Sequence, residues 1–220
     1  SPTCLGLTDV CRVVFFVCLC VQMWLFLPPR SWCRRHFVTL RRGGGLFFDR
    51  TPFIALLENL RSQAVLSNRP RRFGKSLFKS MLMAYYDVHN KGARFDALFG
   101  DLAVGKARTE DASSFLVLSL DFSSLDCSSV EALTRSLNAK LLEGIDQFGE
   151  KYEEEVGALS FASDDGVARL ERLAQHLQER DLKLYVFVDE YDVGVGQALD
   201  KPAVHAILTV GGEGAERRDS

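Results

Sequence analysis

Arg69-Pro70-Arg71-Arg72-Phe73-Gly74-Lys75-Ser76 is the stretch on which the reading of this chain turns. It follows a short apolar run, residues 64–66, that reads as a strand. It precedes residues 76–86, where Leu77, Phe78, Met81, Leu82 and Tyr85 fall on one helical face. Strand, loop and helix in that order suit a phosphate-binding loop. Main-chain N–H groups at a helix start point at the ligand, and the helix dipole favours negative charge there. On this reading Gly74 lets the backbone approach a phosphate, Lys75 reaches the β- and γ-phosphates, and the Ser76 hydroxyl binds Mg2+. The usual pattern is G-x-x-x-x-G-K-[ST], and here Arg69 stands in place of the first glycine. The neighbouring arginines either add charge toward phosphates or form a surface patch.

A second signal lies far along the chain. Leu184-Tyr185-Val186-Phe187-Val188 is apolar throughout and runs directly into Asp189-Glu190. Nucleotide-binding sheets hold ligands beyond the tips of such buried strands. Asp189 is placed to hold Mg2+ through water, as the partner of Ser76, and Glu190 to take a proton from an attacking water. An acidic pair can also simply end a strand and cap the next segment. Its position after the loop, across intervening strand and helix units, favours the site reading. Asp121 ends the other strong run, residues 115–121, and either faces the same crevice or serves the turn Asp-Phe-Ser-Ser. His89, His176 and His205 have no partner at metal-ligand spacing, and Tyr85 and Tyr86 read as core and rim.

The remaining elements agree on class. Thr51 and Pro52 open a helix over 51–60, as N-cap and first helical residue. Ser128 with Glu131 forms a capping box before a helix whose stripe is Leu133, Leu137, Leu141 and Ile145. Residues 149–166 are acidic and read as a surface excursion. Residues 167–180 form another amphipathic helix, with Leu170, Leu173 and Leu177 inward. Apolar strands alternating with helices imply an α/β fold with a mainly parallel sheet covered on both faces.

The chain has 220 residues, 47% of them apolar and 25% charged, which excludes wholesale disorder. Net charge is −2; the first 45 residues hold six Arg against Asp9, so the rest carries −7. An acidic body argues against broad binding to a phosphate backbone. Five of the six Cys fall in the first 33 residues, which excludes a disulfide-built domain, and no second close pair supports zinc. Residues 13–27 (VVFFVCLCVQMWLFL) carry one polar member and end at Pro28 and Pro29. Three readings stand: a membrane anchor, a signal peptide, or mistranslated sequence. If the run inserts, Arg30, Arg34 and Arg35 favour the cytoplasmic side for the rest of the chain. Arg41 to Gly45 reads as a basic linker. The expected division is therefore residues 1–43 as the hydrophobic segment and 44–220 as the folded domain.

Five ordered stretches carry a resemblance: Asp49-Arg50-Thr51-Pro52-Phe53-Ile54, the Arg69–Ser76 loop, Phe95-Asp96-Ala97-Leu98-Phe99-Gly100, Leu118-Ser119-Leu120-Asp121-Phe122-Ser123, and Val188-Asp189-Glu190-Tyr191-Asp192. Over about residues 46–200 the chain resembles the AAA-ATPase-like family of predicted P-loop ATPases. That family pairs an R-P-R-R-F-G-K-[ST] loop with a V-D-E-Y-D strand end and commonly lacks the first glycine. The resemblance implies a P-loop NTPase core with ATP and Mg2+ at Arg72, Phe73, Gly74, Lys75, Ser76 and Leu77. Lys75 and Glu190 would be catalytic, and Ser76 and Asp189 would place the metal. It implies ATP rather than GTP, and sites that related ATPases often complete between subunits of a homo-oligomer. Arg50 stands where the family usually has Lys. Family members usually continue through another strand and a sensor residue, and many carry a PD-(D/E)XK nuclease-like domain. The tail GGEGAERRDS resembles neither, so the core reads as truncated at its C-terminus. The rival functional readings are a nucleotide-gated interaction module that scarcely hydrolyses ATP, and an inactive fragment. The protein or nucleic-acid partner is left open, as is membrane association through residues 13–27.

Overall fold

The computed structural model describes residues 11–19, 36–60, 64–70, 73–159 and 163–190. Four strands form one sheet: β1 (Cys11–Leu19), β2 (Ala64–Pro70), β3 (Leu116–Asp121) and β4 (Leu184–Asp189). Their order is β2-β1-β4-β3, and every pairing is parallel. All four C-terminal ends therefore lie along one edge, where open α/β sheets collect their ligands.

Period-two alternation on β3 and β4 builds two cores. Leu116, Leu118 and Leu120 with Leu184, Val186 and Val188 face one layer of helices. That layer holds α6 (Val130–Lys151), α7 (Glu153–Val156) and α8 (Gly166–Gln178). Val117, Tyr185 and Phe187 face the opposite layer. There the helices are α1 (Phe37–Arg42), α2 (Pro52–Asn59), α3 (Lys75–Tyr86), α4 (Ala93–Phe99) and α5 (Ala103–Lys106). This core is rich in rings: Phe37 stacks on Phe99 at 4.9 Å, and Tyr86 lies 4.6 Å from Tyr185. Tyr85 and Tyr86 are both fully buried. The α/β class and the parallel sheet are thus as the apolar runs imply.

The largest departure is at the N-terminus. Residues 11–19, part of the run read as anchor, signal or mistranslation, form β1 and hydrogen-bond to a strand on each side. The ambiguity is physical. A strand covered on both faces in a parallel sheet is a continuous apolar run, and so is a membrane segment. Val13, Val14, Phe15, Phe16 and Val17 are strong strand formers, which periodicity alone does not register. Residues 20–27 of the run lie outside the described residues. No helix among the described residues is long and apolar enough to cross a membrane.

Smaller differences have the same origin in distant partners. Residues 41–45, expected as linker, contain the last turn of α1 and its C-cap at Gly43. Arg41 is tied to the Leu98 carbonyl at 2.9 Å and to Asp101, and Phe37 is fully buried. The cap of α6 is Ser129, whose hydroxyl accepts from Ala132 N–H at 3.1 Å, rather than Ser128. The buried residues of α6 are Ala132, Leu141, Gly144, Ile145 and Phe148, and Leu137 of the expected stripe packs against the same core. Within the expected surface excursion, Tyr152 and Val156 are buried, and the Tyr152 hydroxyl accepts from Val117 N–H at 3.0 Å.

Candidate functional site

The site forms where two distant pieces of chain meet at the C-terminal edge of the sheet. β2 delivers the first piece. After it, Gly74 adopts φ 74° and serves as N-cap of α3 without any side-chain cap. Only glycine takes that conformation without strain. The first turn of α3 then begins with Lys75, Ser76 and Leu77, whose main-chain N–H groups have no partner within the helix. The Leu77 side chain packs against the aromatic core, so only its main chain is available at the loop. Phe73 is exposed at the loop, and Arg72 lies outside the described residues.

β4 delivers the second piece. The alternation that buries Tyr185 and Phe187 under the α3 layer also directs Asp189 to that side. Lys75 Nζ lies 3.0 Å from Asp189 Oδ1 and 2.8 Å from Glu190 Oε1, across a separation of 115 residues to Glu190. Lys79, one turn further along α3, places Nζ 2.9 Å from Asp189 Oδ2. The two lysines and two acids form a neutral quartet. Side-chain exposures are 8% for Lys75, 9% for Asp189, 13% for Lys79 and 29% for Glu190.

The electrostatics result from this packing. Burial pushes the Asp189 carboxyl up, but the ammonium groups of Lys79 and Lys75 outweigh it and hold it below the usual carboxylate range. Burial pushes Lys75 down, but bonds to Glu190 and Asp189 hold it above its ordinary value. Both groups are thus held in their charged forms. Glu190 sits at φ 54°, an unusual conformation for a side-chain-bearing residue, and its N–H donates to Asp189 Oδ1 at 3.1 Å. Such backbone outliers concentrate at functional sites.

Asp121 aligns directly with Asp189 across the β3–β4 pairing. Its carboxylate accepts from Ser123 N–H at 2.9 Å, so it serves the local turn at the same edge of the sheet. His89 lies 2.7 Å from Glu155, and His176 contacts the Val156 carbonyl at 2.9 Å.

Two residues at the loop escaped the sequence reading. Lys79 carries a signal, since it is four residues after Lys75 and therefore shares its helix face. Arg50 has one as well: it lies in the Asp49-Arg50-Thr51 stretch, to which no role attached. Asp49 accepts from Thr51 N–H and from Ala103 N–H, both at 2.8 Å, and Thr51 Oγ1 accepts from Val104 N–H at 3.2 Å. With its neighbours pinned to α5, Arg50 reaches the loop and donates to the Phe73 carbonyl at 3.0 Å. The Thr51 hydroxyl therefore staples α5 and does not cap α2.

A family model described as predicted AAA-ATPase matches residues 34–210. The chain belongs to the AAA-ATPase-like family. No curated protein and no solved structure matches it. The loop, Lys75 and the Asp189-Glu190 pair all fall within the family region of this AAA-ATPase-like chain, whereas β1 precedes it. The strand between β2 and β4 thus lies outside the residues that the family model matches.

Proposed function

We propose that this chain binds ATP with Mg2+ at the loop between β2 and α3 and hydrolyses its β–γ bond, as a P-loop NTPase core whose sheet includes β1. The observation that carries this reading is the convergence of Lys75 with Asp189 and Glu190 at the sheet's ligand edge. The residues suit the ligand in three respects. Gly74 gives the loop a side-chain-free bend, the start of the twelve-residue α3 has no side-chain cap, and a buried cation stands beside it. Main-chain N–H groups of residues 74–77 would receive phosphate oxygens, joined by Arg72 and Phe73 of the loop. Lys75 would exchange its carboxylate partners for phosphate oxygens and neutralise the charge that develops on transfer. Ser76 and Asp189 would hold the metal, which supplies charge neutralisation at the β- and γ-oxygens. Glu190, released from Lys75, would accept the proton of the attacking water. Water oxygen bonds to the γ-phosphorus as the bridging bond breaks, giving ADP and inorganic phosphate.

Comparison of Glu190→Gln with the parent tests this. Turnover should fall by about a hundredfold or more, the usual contribution of a positioned base. ATP binding should persist, and should tighten severalfold because a carboxylate no longer competes for Lys75. Equal turnover in both proteins would remove the base assignment. A parent that binds ATP without turnover would instead leave a nucleotide-gated interaction module.

A further inference from the structure

Lys79 has no part in the proposed hydrolysis, yet it occupies the second oxygen of the carboxylate assigned to the metal. Its ammonium lies 2.9 Å from Asp189 Oδ2, while Lys75 takes Oδ1 at 3.0 Å. Both oxygens of Asp189 therefore already carry a cation. The Lys79 side chain is 13% exposed, so solvent screens this contact weakly.

We propose that Lys79 is a built-in counter-ion that competes with a divalent cation for Asp189, making nucleotide binding in this chain unusually tolerant of cation removal. This rests on the ATP reading. When phosphates draw Lys75 away from Oδ1, nothing draws Lys79 away from Oδ2, because it leaves α3 one turn further from the loop. A divalent cation approaching Asp189 then meets a fixed positive charge at close range, which weakens its hold. Without the divalent cation, the same ammonium neutralises Asp189, so the polyphosphate does not face a bare carboxylate. Both effects shrink one quantity, the ratio of ATP affinity in Mg2+ to ATP affinity in EDTA.

The test measures that ratio by calorimetry with ATP on the full chain, for the parent, Lys79→Met and Lys79→Arg. Lys79→Met should raise the ratio about tenfold, because a like charge beside the divalent cation is removed. Lys79→Arg keeps the charge and should keep the parent ratio. If the Met variant does not fold by circular dichroism, Lys79→Gln, which keeps a hydrogen-bonding end, should give the same rise. An unchanged ratio in the folded uncharged variant, with the parent binding normally, overturns the proposal and leaves the ATP reading intact. A folded parent that binds no ATP under either condition overturns both.

Discussion

Replacing Lys75 by methionine should weaken the nucleotide-free fold itself, not only ligand binding. Lys75 is 8% exposed and contacts two carboxylates at 3.0 and 2.8 Å. Removing one partner of a buried ionic cluster costs about 3–5 kcal/mol, because the charges left behind are uncompensated. Two features place this case at the low end. Lys79 still holds Asp189 Oδ2, and Glu190 is exposed enough to recover some hydration. A loss of about 3 kcal/mol corresponds to a fall in melting temperature of roughly 6–12 °C for a chain of this size. Methionine keeps the volume of the lysine stem, so the loss reports charge and not a cavity. Adding Glu190→Gln to Lys75→Met removes one orphaned charge and should restore about 1 kcal/mol, a coupling that a double-mutant cycle reads directly. The assay is urea unfolding of the full chain without nucleotide, with thermal melting in parallel. A Lys75→Met variant that melts within about 1 °C of the parent would show that the quartet does not hold the loop in the nucleotide-free state.

Three other outcomes are expected from the same geometry. Gly74→Ala should cost about 1–2 kcal/mol and lose ATP binding, since φ 74° is strained for any side chain; the new methyl would also meet Arg50 Nη1 at 3.3 Å. Unfolding curves and calorimetry read the two effects. In pH titrations of stability, the Asp189 contribution should be present above its unfolded value near 3.8 and vanish as pH falls through its lower folded value. The Lys75 contribution should be present below 10.5 and vanish as pH rises through its higher folded value, so Lys75→Met should lose that alkaline limb. Phe15→Pro places a residue without an N–H in the middle of β1. It should destabilise the whole domain by about 3 kcal/mol, the order of a proline that removes a backbone hydrogen bond inside a regular element, whereas an unchanged melt would remove residues 11–19 from the sheet.

The parallel sheet was legible because β3 and β4 are apolar at nearly every position before their acidic ends, and because helix-period stripes separate them. The meeting of Lys75 with Asp189 and Glu190 was legible for a different reason: a Gly-Lys step at a helix start and an acidic pair at the end of an apolar strand both belong at the C-terminal edge of a parallel sheet. What escaped was information carried by partners distant in sequence. Residues 11–19 have the composition of a buried strand and of a membrane run alike, and only pairing with β2 and β4 separates the two. Arg50 and Lys79 are ordinary cations on paper; their meaning comes from the Phe73 carbonyl and the Asp189 carboxylate. The cap of α6 lies at Ser129, one residue from the expected serine, because adjacent serines spell the same signal.

The most direct measurement of the central claim is calorimetric titration of the full chain, with residues 11–19 retained, against Mg-ATP, beside folded Lys75→Ala. Saturable binding by the parent that disappears in the variant is the predicted result. A folded parent that takes up no heat from Mg-ATP, or a variant that binds as well as the parent, would contradict the assignment of the loop and acid pair as a nucleotide site.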